Sequence, residues 1–366
     1  MSKEPTDRSR GSSTRSGDGG EPAQLPGGTL AAPGPVLVMG AGSVGGWIGG
    51  RLQAAGVPVC FVGRPRMLDG WRANGLRLTD REGCDLQIDA ARLDLHTAVP
   101  AGSAPALVLL CVKSGATVDA ARELGERLPA RTPVLSLQNG IGNAALAQAA
   151  APALACVPGM VPFNIAELAP GHLHRGTSGR LAAQRTPALA AWAPVFEAAG
   201  LPIDLHGDLA PVQWGKLLLN LNNPVNALSG LPLRAQLLDR GLRRCTAALI
   251  EETLGVLAAA GIRPAQMAPL PPAWLPAVLR LPTPLFRLVA ARMLRIDDKA
   301  RSSMADDLAL GRPTETGALQ GEVVRLARSV GRDAPLNARA AGLVQAWPAA
   351  PRRWSGHDLM RALHVK

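Results

Sequence analysis

The sequence predicts an α/β protein in two parts: a parallel sheet covered by helices over residues 35–207, then an all-helical part over 208–348. Three observations predict it. From residue 35 short β-rich runs alternate with helical stretches, a glycine-rich turn joins the first run to the first helix, and strand signals vanish after about residue 207. At 366 residues the chain is long enough for two domains, each with its own core.

Taken in order, residues 1–34 are rich in Gly, Ser, Thr and Pro, balance acidic against basic side chains, and lack the apolar stretch of a secretory signal. They are expected to be a disordered tail. "PVLVMG" then reads as a buried strand, "GGWIGGRLQAAG" as a helix and "VPVCFVGR" as the second strand, with "ALVLLCVK" and "TPVLSLQNG" further along in the same style. "GLRLTDREGCDLQID" departs from this rhythm: two alternating runs about an Asp-Arg-Glu-Gly turn predict an inserted hairpin. "VPGMVPFNIAEL" and "HLHRGTSGRLAAQ" have the character of closing strands. "RRCTAALIEETLGVLAAAG" and "TGALQGEVVRLARSVG" carry helical periodicity. Residues 349–366, ending "PRRWSGHDLMRALHVK", are expected to be a mobile basic tail.

Composition narrows the function. The formal net charge of +11 invites a nucleic-acid reading, but the basic residues are scattered singly, aromatics make up 3% and Tyr is absent. Neither a basic stripe nor stacking platforms for bases are present, so anionic small molecules are the expected partners. The most apolar late stretch is interrupted by arginines and prolines, so no membrane segment is expected. Cys60, Cys84, Cys111, Cys156 and Cys245 form no CxxC pair, and Cys60 and Cys111 lie in apolar runs as reduced core cysteines do. A cytoplasmic location is expected, and no metal ligand set is assigned.

"VLVMGAGSVGGWIGGRL" places Gly40, Gly42 and Gly45 as GxGxxG between a buried strand and a helix. The first glycine permits the tight turn, the second lets backbone approach a pyrophosphate, and the third lets helix and strand pack closely. Amides of Ser43 and Val44 at the helix N-terminus then face the anion. This is the fingerprint of a Rossmann-type dinucleotide-binding domain. The next strand ends "CFVGRPR", where an NAD site would carry an Asp or Glu for the ribose 2′-hydroxyl. Arg64 and Arg66 stand there instead, and guanidinium groups suit the 2′-phosphate of NADPH. Lys113 and Asn139 follow strand ends, where open α/β sheets bind ligands.

The helical part opens on "QWGKLLLNLNNPVNALSG", an apolar helix that carries Lys216, Asn220 and Asn223 at i, i+4 and i+7, hence on one face. Pro224 lacks an N–H, which predicts a kink where the carbonyl of Asn220 loses its helical partner. Further on, "ARSSMADDLALGRPTE" sets Ser303 and Asp307 one turn apart and Glu315 at an expected helix start capped by Thr314. The plainer reading of Asp306 and Asp307 is a solvated helix face.

"GAGSVGG", "CVKSGAT", "LSLQNGIGN", "WGKLLLN…NP" and "SSMADDLALGRPTE…GEVVRLARSVGRDAPLN" resemble the ketopantoate reductases in order and separation, over about residues 35–345. The resemblance implies that NADPH binds the first domain and that 2-dehydropantoate is reduced to (R)-pantoate for pantothenate and coenzyme A synthesis. It also implies a catalytic Lys216, substrate contacts from Asn220 and Ser303, an interdomain Glu315, and cofactor contacts from Lys113 and Asn139. Two departures stand out. The family's second asparagine usually follows the lysine by eight residues, whereas Asn223 follows by seven, and "PTETG" replaces the usual "PTEID". The Pro-rich segment 267–287 is a third feature of this chain.

Two other readings compete. Another NADP-linked reductase of small 2-oxo or 3-hydroxy acids would share this architecture; a non-catalytic NADPH sensor would need the phosphate cradle but neither Lys216 nor Glu315. A homodimer is kept open as the assembly.

Overall fold

The computed structural model describes residues 32–291, 294 and 300–365, so residues 1–31 of the expected N-terminal tail lie outside it. The first half contains β1 (Val36–Met39), α1 (Ser43–Ala54), β2 (Val59–Val62), α2 (Pro65–Asn74), β3 (Leu76–Asp80), β4 (Asp85–Ile88), β5 (Asp94–His96) and β6 (Leu107–Leu110). It continues through α3 (Thr117–Arg127), β7 (Pro133–Ser136), α4 (Asn143–Ala150), β8 (Ala155–Met160), β9 (Ile165–Ala169), β10 (His172–Arg175), β11 (Leu181–Gln184), α5 (Pro187–Ala198) and β12 (Ile203–His206).

The main sheet has eight strands in the order β12-β11-β8-β7-β6-β1-β2-β5. From β5 to β8 all pairings are parallel, and the order reverses between β1 and β6. That is the doubly wound arrangement, with its ligand crevice at the switch point. The four residues of β1 and of β6 are buried throughout because helices cover both faces, which is why they read as unbroken apolar runs. The expected hairpin is present as antiparallel β3 and β4. The sequence did not disclose its destination: β3 also pairs with β10, which pairs with β9, making a second, four-stranded sheet. α1 lies against this second sheet, and a Cβ on Gly50 would come within 2.9 Å of Leu76 and Leu78 side chains.

From Ala210 onward the described residues hold helices and turns: α6 (Ala210–Asn220), α7 (Asn222–Ser229), α8 (Leu233–Leu238), α9 (Arg240–Ala259), α10 (Leu275–Arg280) and α11 (Thr283–Val289). After them come α12 (Ser303–Ala309), α13 (Gln320–Ser329), α14 (Pro335–Ala346) and α15 (Gly356–Leu363). α9 is the axis of this domain. Asp239 caps it by accepting from the Leu242 N–H at 2.9 Å, and Leu242, Cys245, Leu249, Ile250, Val256 and Leu257 form its buried stripe. The Pro-rich segment folds onto this axis. Fully buried Arg243 donates to the carbonyls of Leu237, Leu279 and Leu281, and its guanidinium lies 4.2 Å from the Phe286 ring centroid.

The break at Pro224 is as expected, with α6 ending at Asn220 and α7 starting at Asn222. One expectation fails. The C-terminal segment 349–366 is not a mobile tail over its described part, because α15 docks on α9 with Leu359 and Leu363 wholly buried. Ser355 caps it, accepting from the Asp358 N–H at 3.1 Å. Its basic composition concealed an i, i+4 leucine pair, and apolar burial outweighs the exposed charges.

Candidate active site

The glycine turn does what its spacing demands. Gly40 has φ +111°, and a Cβ there would lie 2.5 Å from the Val112 amide nitrogen, so the turn closes directly against the chain leaving β6. A Cβ on Gly45 would lie 2.3 Å from the Gly40 carbonyl oxygen, whereas one on Gly42 would meet nothing within 4 Å. The first and third glycines are therefore packing requirements, and the second leaves open space above the backbone. Gly42 caps α1 with no side-chain hydrogen bond, so the Ser43 and Val44 amides of the first turn open toward that space. Arg64 and Arg66 are exposed where β2 passes into α2, beside this turn: the Gly40 and Ala41 amides both donate to the Val62 carbonyl.

Lys113 and Asn139 each sit three residues past a strand, beyond β6 and β7. Carboxylates of the helical domain hold both. Lys113 pairs with Asp307, and the Asn139 amide donates to Glu315 Oε2 at 3.0 Å, while Ser114 Oγ donates to Glu315 Oε1 at 3.2 Å. Nearby, the Gly142 N–H donates to Glu322 Oε1 at 3.1 Å. Two readings change here. Asp307 is 7% exposed and ion-paired to Lys113, so it is no solvated face. Glu315 does not start a helix. It lies in a turn whose carbonyl accepts from Ala318 and Leu319, α13 begins at Gln320, and Thr314 bonds Thr316 Oγ1 at 3.3 Å instead of capping. Gly317, a weak helix former, lies within that turn.

Between the domains is a cleft lined by Gln138, Asn139, Gly140, Met160, Val161, Gln213, Lys216, Leu217 and Asn220. Its floor is the ends of β7 and β8, and its wall is one face of α6. Lys216 and Asn220 share that face one turn apart. The Lys216 ammonium donates to the Pro162 carbonyl at 3.2 Å. Burial pushes its pKa down from 10.5 to about 8, because the charged form loses water. An ammonium so held is a stronger acid than a lysine in water, and its side chain lines the cleft.

Asn223 and Ser303 do not line this cleft. Asn223 lies beyond the α6–α7 break, and its carbonyl is 3.5 Å from Ser302 Oγ. Ser303 is exposed at the start of α12, while buried Ser302 is the cap, accepting from the Ala305 N–H. Asn222 faces away, as helical geometry predicts, exchanging hydrogen bonds with Gln236 and accepting from Thr246 Oγ1. Sequence reasoning missed Gln138, which is locked by Ser136, Thr117 and the Val112 carbonyl, and Gln213, which is on the α6 face of the cleft. For Gln213 the signal was available, since it precedes Lys216 by three residues on the same helical face.

Comparison with known proteins agrees with this architecture. Residues 36–187 match the family described as Ketopantoate reductase PanE/ApbA, and residues 208–347 match its C-terminal domain. A 2-dehydropantoate 2-reductase of Halobacterium salinarum is 30% identical over 316 residues, covering 85% of this chain and 97% of that protein. The crystal structure of a PanE/ApbA family ketopantoate reductase from Ralstonia eutropha superposes with TM-score 0.72 at 29% identity, covering 85% and 97% of the two chains. D-mandelate dehydrogenase, in its ternary structure with NADH and anilino(oxo)acetate, shares the fold at TM-score 0.70 and 19% identity, covering 85% of this chain and 97% of that one. The two family matches together span most of the chain, on either side of the cleft that holds Lys216, and this protein is an oxidoreductase belonging to the ketopantoate reductase family.

Proposed function

We propose that this enzyme reduces 2-dehydropantoate to (R)-pantoate with NADPH, serving pantothenate and coenzyme A synthesis. The observation that carries the proposal is the Lys216 ammonium, depressed by burial and lining a cleft between strand ends and α6 with the Asn220 amide one turn away. The protein's residues fit a dinucleotide: open space above Gly42, uncapped amides at the start of α1, and exposed Arg64 and Arg66 where a 2′-phosphate would lie. When bound, the reduced nicotinamide supplies the hydride.

The chain's own groups do the rest. As the ketone carbon gains hydride, negative charge develops on its oxygen, and Lys216 Nζ stabilises it and delivers the proton. Lys216 is then neutral and is reprotonated from solvent. Asn220, which lines the cleft, orients the substrate's hydroxyl or carboxylate; Asn223 and Ser303 lie outside the cleft lining and take no part in this reading. Glu315 is the interdomain residue: by holding Asn139 and Ser114 it keeps the helical domain over the strand ends. A homodimer is the proposed assembly, and exposed Leu285, Leu288 and Val289 on α11 supply an apolar face for it; sedimentation at rising concentration checks this.

The test is steady-state NADPH oxidation with 2-dehydropantoate beside a panel of other 2-oxo acids. The highest kcat/KM is expected for 2-dehydropantoate. A clear preference for another 2-oxo acid would replace the substrate while leaving the reaction type in place. No oxidation with any of them would favour the sensor reading.

A further inference from the structure

At the outer edge of the main sheet, away from the interdomain cleft, Cys60 of β2 stands beside Asp94 and His96 of β5. The parallel register makes Cys60 the partner of Asp94 and Val62 the partner of His96, so the three side chains project from one face. Their Sγ, carboxylate oxygen and imidazole nitrogen all lie within 4.8 Å of one another. His96 Nε2 is 2.5 Å from Asp94 Oδ1. Cys60 is a free, half-buried cysteine that packs against the core as its apolar surroundings suggested, and its thiol also neighbours two ionisable side chains.

We propose that Cys60, Asp94 and His96 form a binding site for a zinc-class divalent cation. The donor set of one thiolate, one imidazole and one carboxylate is that of a tetrahedral zinc site with water as the fourth ligand. The sulfur disfavours magnesium and calcium, which take oxygen donors. The required distances are within reach. Ligands about 2.0 to 2.3 Å from zinc stand roughly 3 to 4 Å apart, so the His96–Asp94 pair has to open by about 1 Å. Both side chains are free to do so, being 39% and 60% exposed. The backbone beneath them is fixed: β2 is bonded to β1 on its other side, and the Gly63 N–H donates to the His96 carbonyl at 2.9 Å. Strand pairing thus sets the ligand positions, and only side-chain rotation is needed. Binding exchanges the thiol proton for the cation, the proton leaving to solvent. Cys60 lies six residues before Arg66, and the site joins the edge strand β5 to the cofactor-binding half of the sheet, so a bound ion would act as a clip on that edge.

Cobalt(II) titration of the purified full-length protein tests this, since a thiolate-bound tetrahedral cobalt gives a near-ultraviolet charge-transfer band together with visible ligand-field bands. One equivalent should bind with both signatures, and zinc should displace it. Cys60→Ala should abolish the charge-transfer band, and His96→Ala should weaken cobalt affinity at least about tenfold, a loss of the size seen when metal-site residues are removed. Cys156→Ala, at a half-buried cysteine elsewhere in the sheet, should change neither. Absence of a charge-transfer band in the wild type, or its survival in Cys60→Ala with an unchanged circular dichroism spectrum, would overturn the proposal. None of these readouts depends on turnover, so the outcome stands whatever substrate the cleft takes.

Discussion

Replacing Lys216 with Met should separate the energetic cost of the site from its chemistry. A pKa lowered from 10.5 to about 8 means that folding disfavours the ammonium, relative to the neutral amine, by roughly 3 kcal/mol. Lys216 lines a cleft that water can enter, which reduces the effective penalty to about 2 kcal/mol. Losing the hydrogen bond to the Pro162 carbonyl costs about 1 kcal/mol. Lys216→Met should therefore be more stable than wild type by about 1 kcal/mol at pH 7 in urea unfolding, while turnover falls by at least ~10²-fold. The pH dependence gives a sharper test. Below about 8 the lysine is charged in both folded and unfolded chains, so the folded protein bears the full penalty. Between about 8 and 10.5 the unfolded chain binds more protons, so wild-type stability rises with pH, and the rise is complete above 10.5. The advantage of Lys216→Met should accordingly shrink toward zero by about pH 9.5. A stability difference independent of pH, or a variant markedly less stable at pH 7, would refute the account of a desolvated ammonium held for function.

Arg64→Asp should weaken NADPH far more than NADH, because a carboxylate would face the 2′-phosphate; equal losses in a binding titration would move the role to Arg66. Asn220→Ala should raise the KM for 2-dehydropantoate with NADPH affinity untouched, whereas Asn222→Ala should leave KM alone and cost roughly 1 to 3 kcal/mol of stability, since it strands Gln236 and Thr246. The reverse ranking would mean that substrate meets Asn222. Truncation after Pro351 should lower the melting temperature sharply, because uncovering the surface that buries Leu359 and Leu363 forfeits about 1.5 to 3 kcal/mol for each; an unchanged melting curve would show that α15 contributes nothing.

What the sequence determined by itself was whatever depends on near neighbours along the chain. The GxGxxG turn, the kink at Pro224, the shared face of Lys216 and Asn220, and the opposite direction of Asn222 follow from local backbone geometry, and the structure reproduces each; Asn223, counted onto the same face, does not line the cleft, because the helix breaks before it. Tertiary structure alone decided which distant groups meet. Lys113 and Asp307 are 194 residues apart in the chain, and no local pattern distinguishes a carboxylate that will be buried against a lysine from one left in water. Glu315 likewise reaches Asn139 and Ser114 only because two domains close on each other. The docking of α15 and the pairing of β3 with β10 are of the same kind, as is the gathering of Cys60 with Asp94 and His96 across adjacent strands. Each depends on burial and strand register between segments far apart in sequence, quantities that a linear pattern carries only as a tendency.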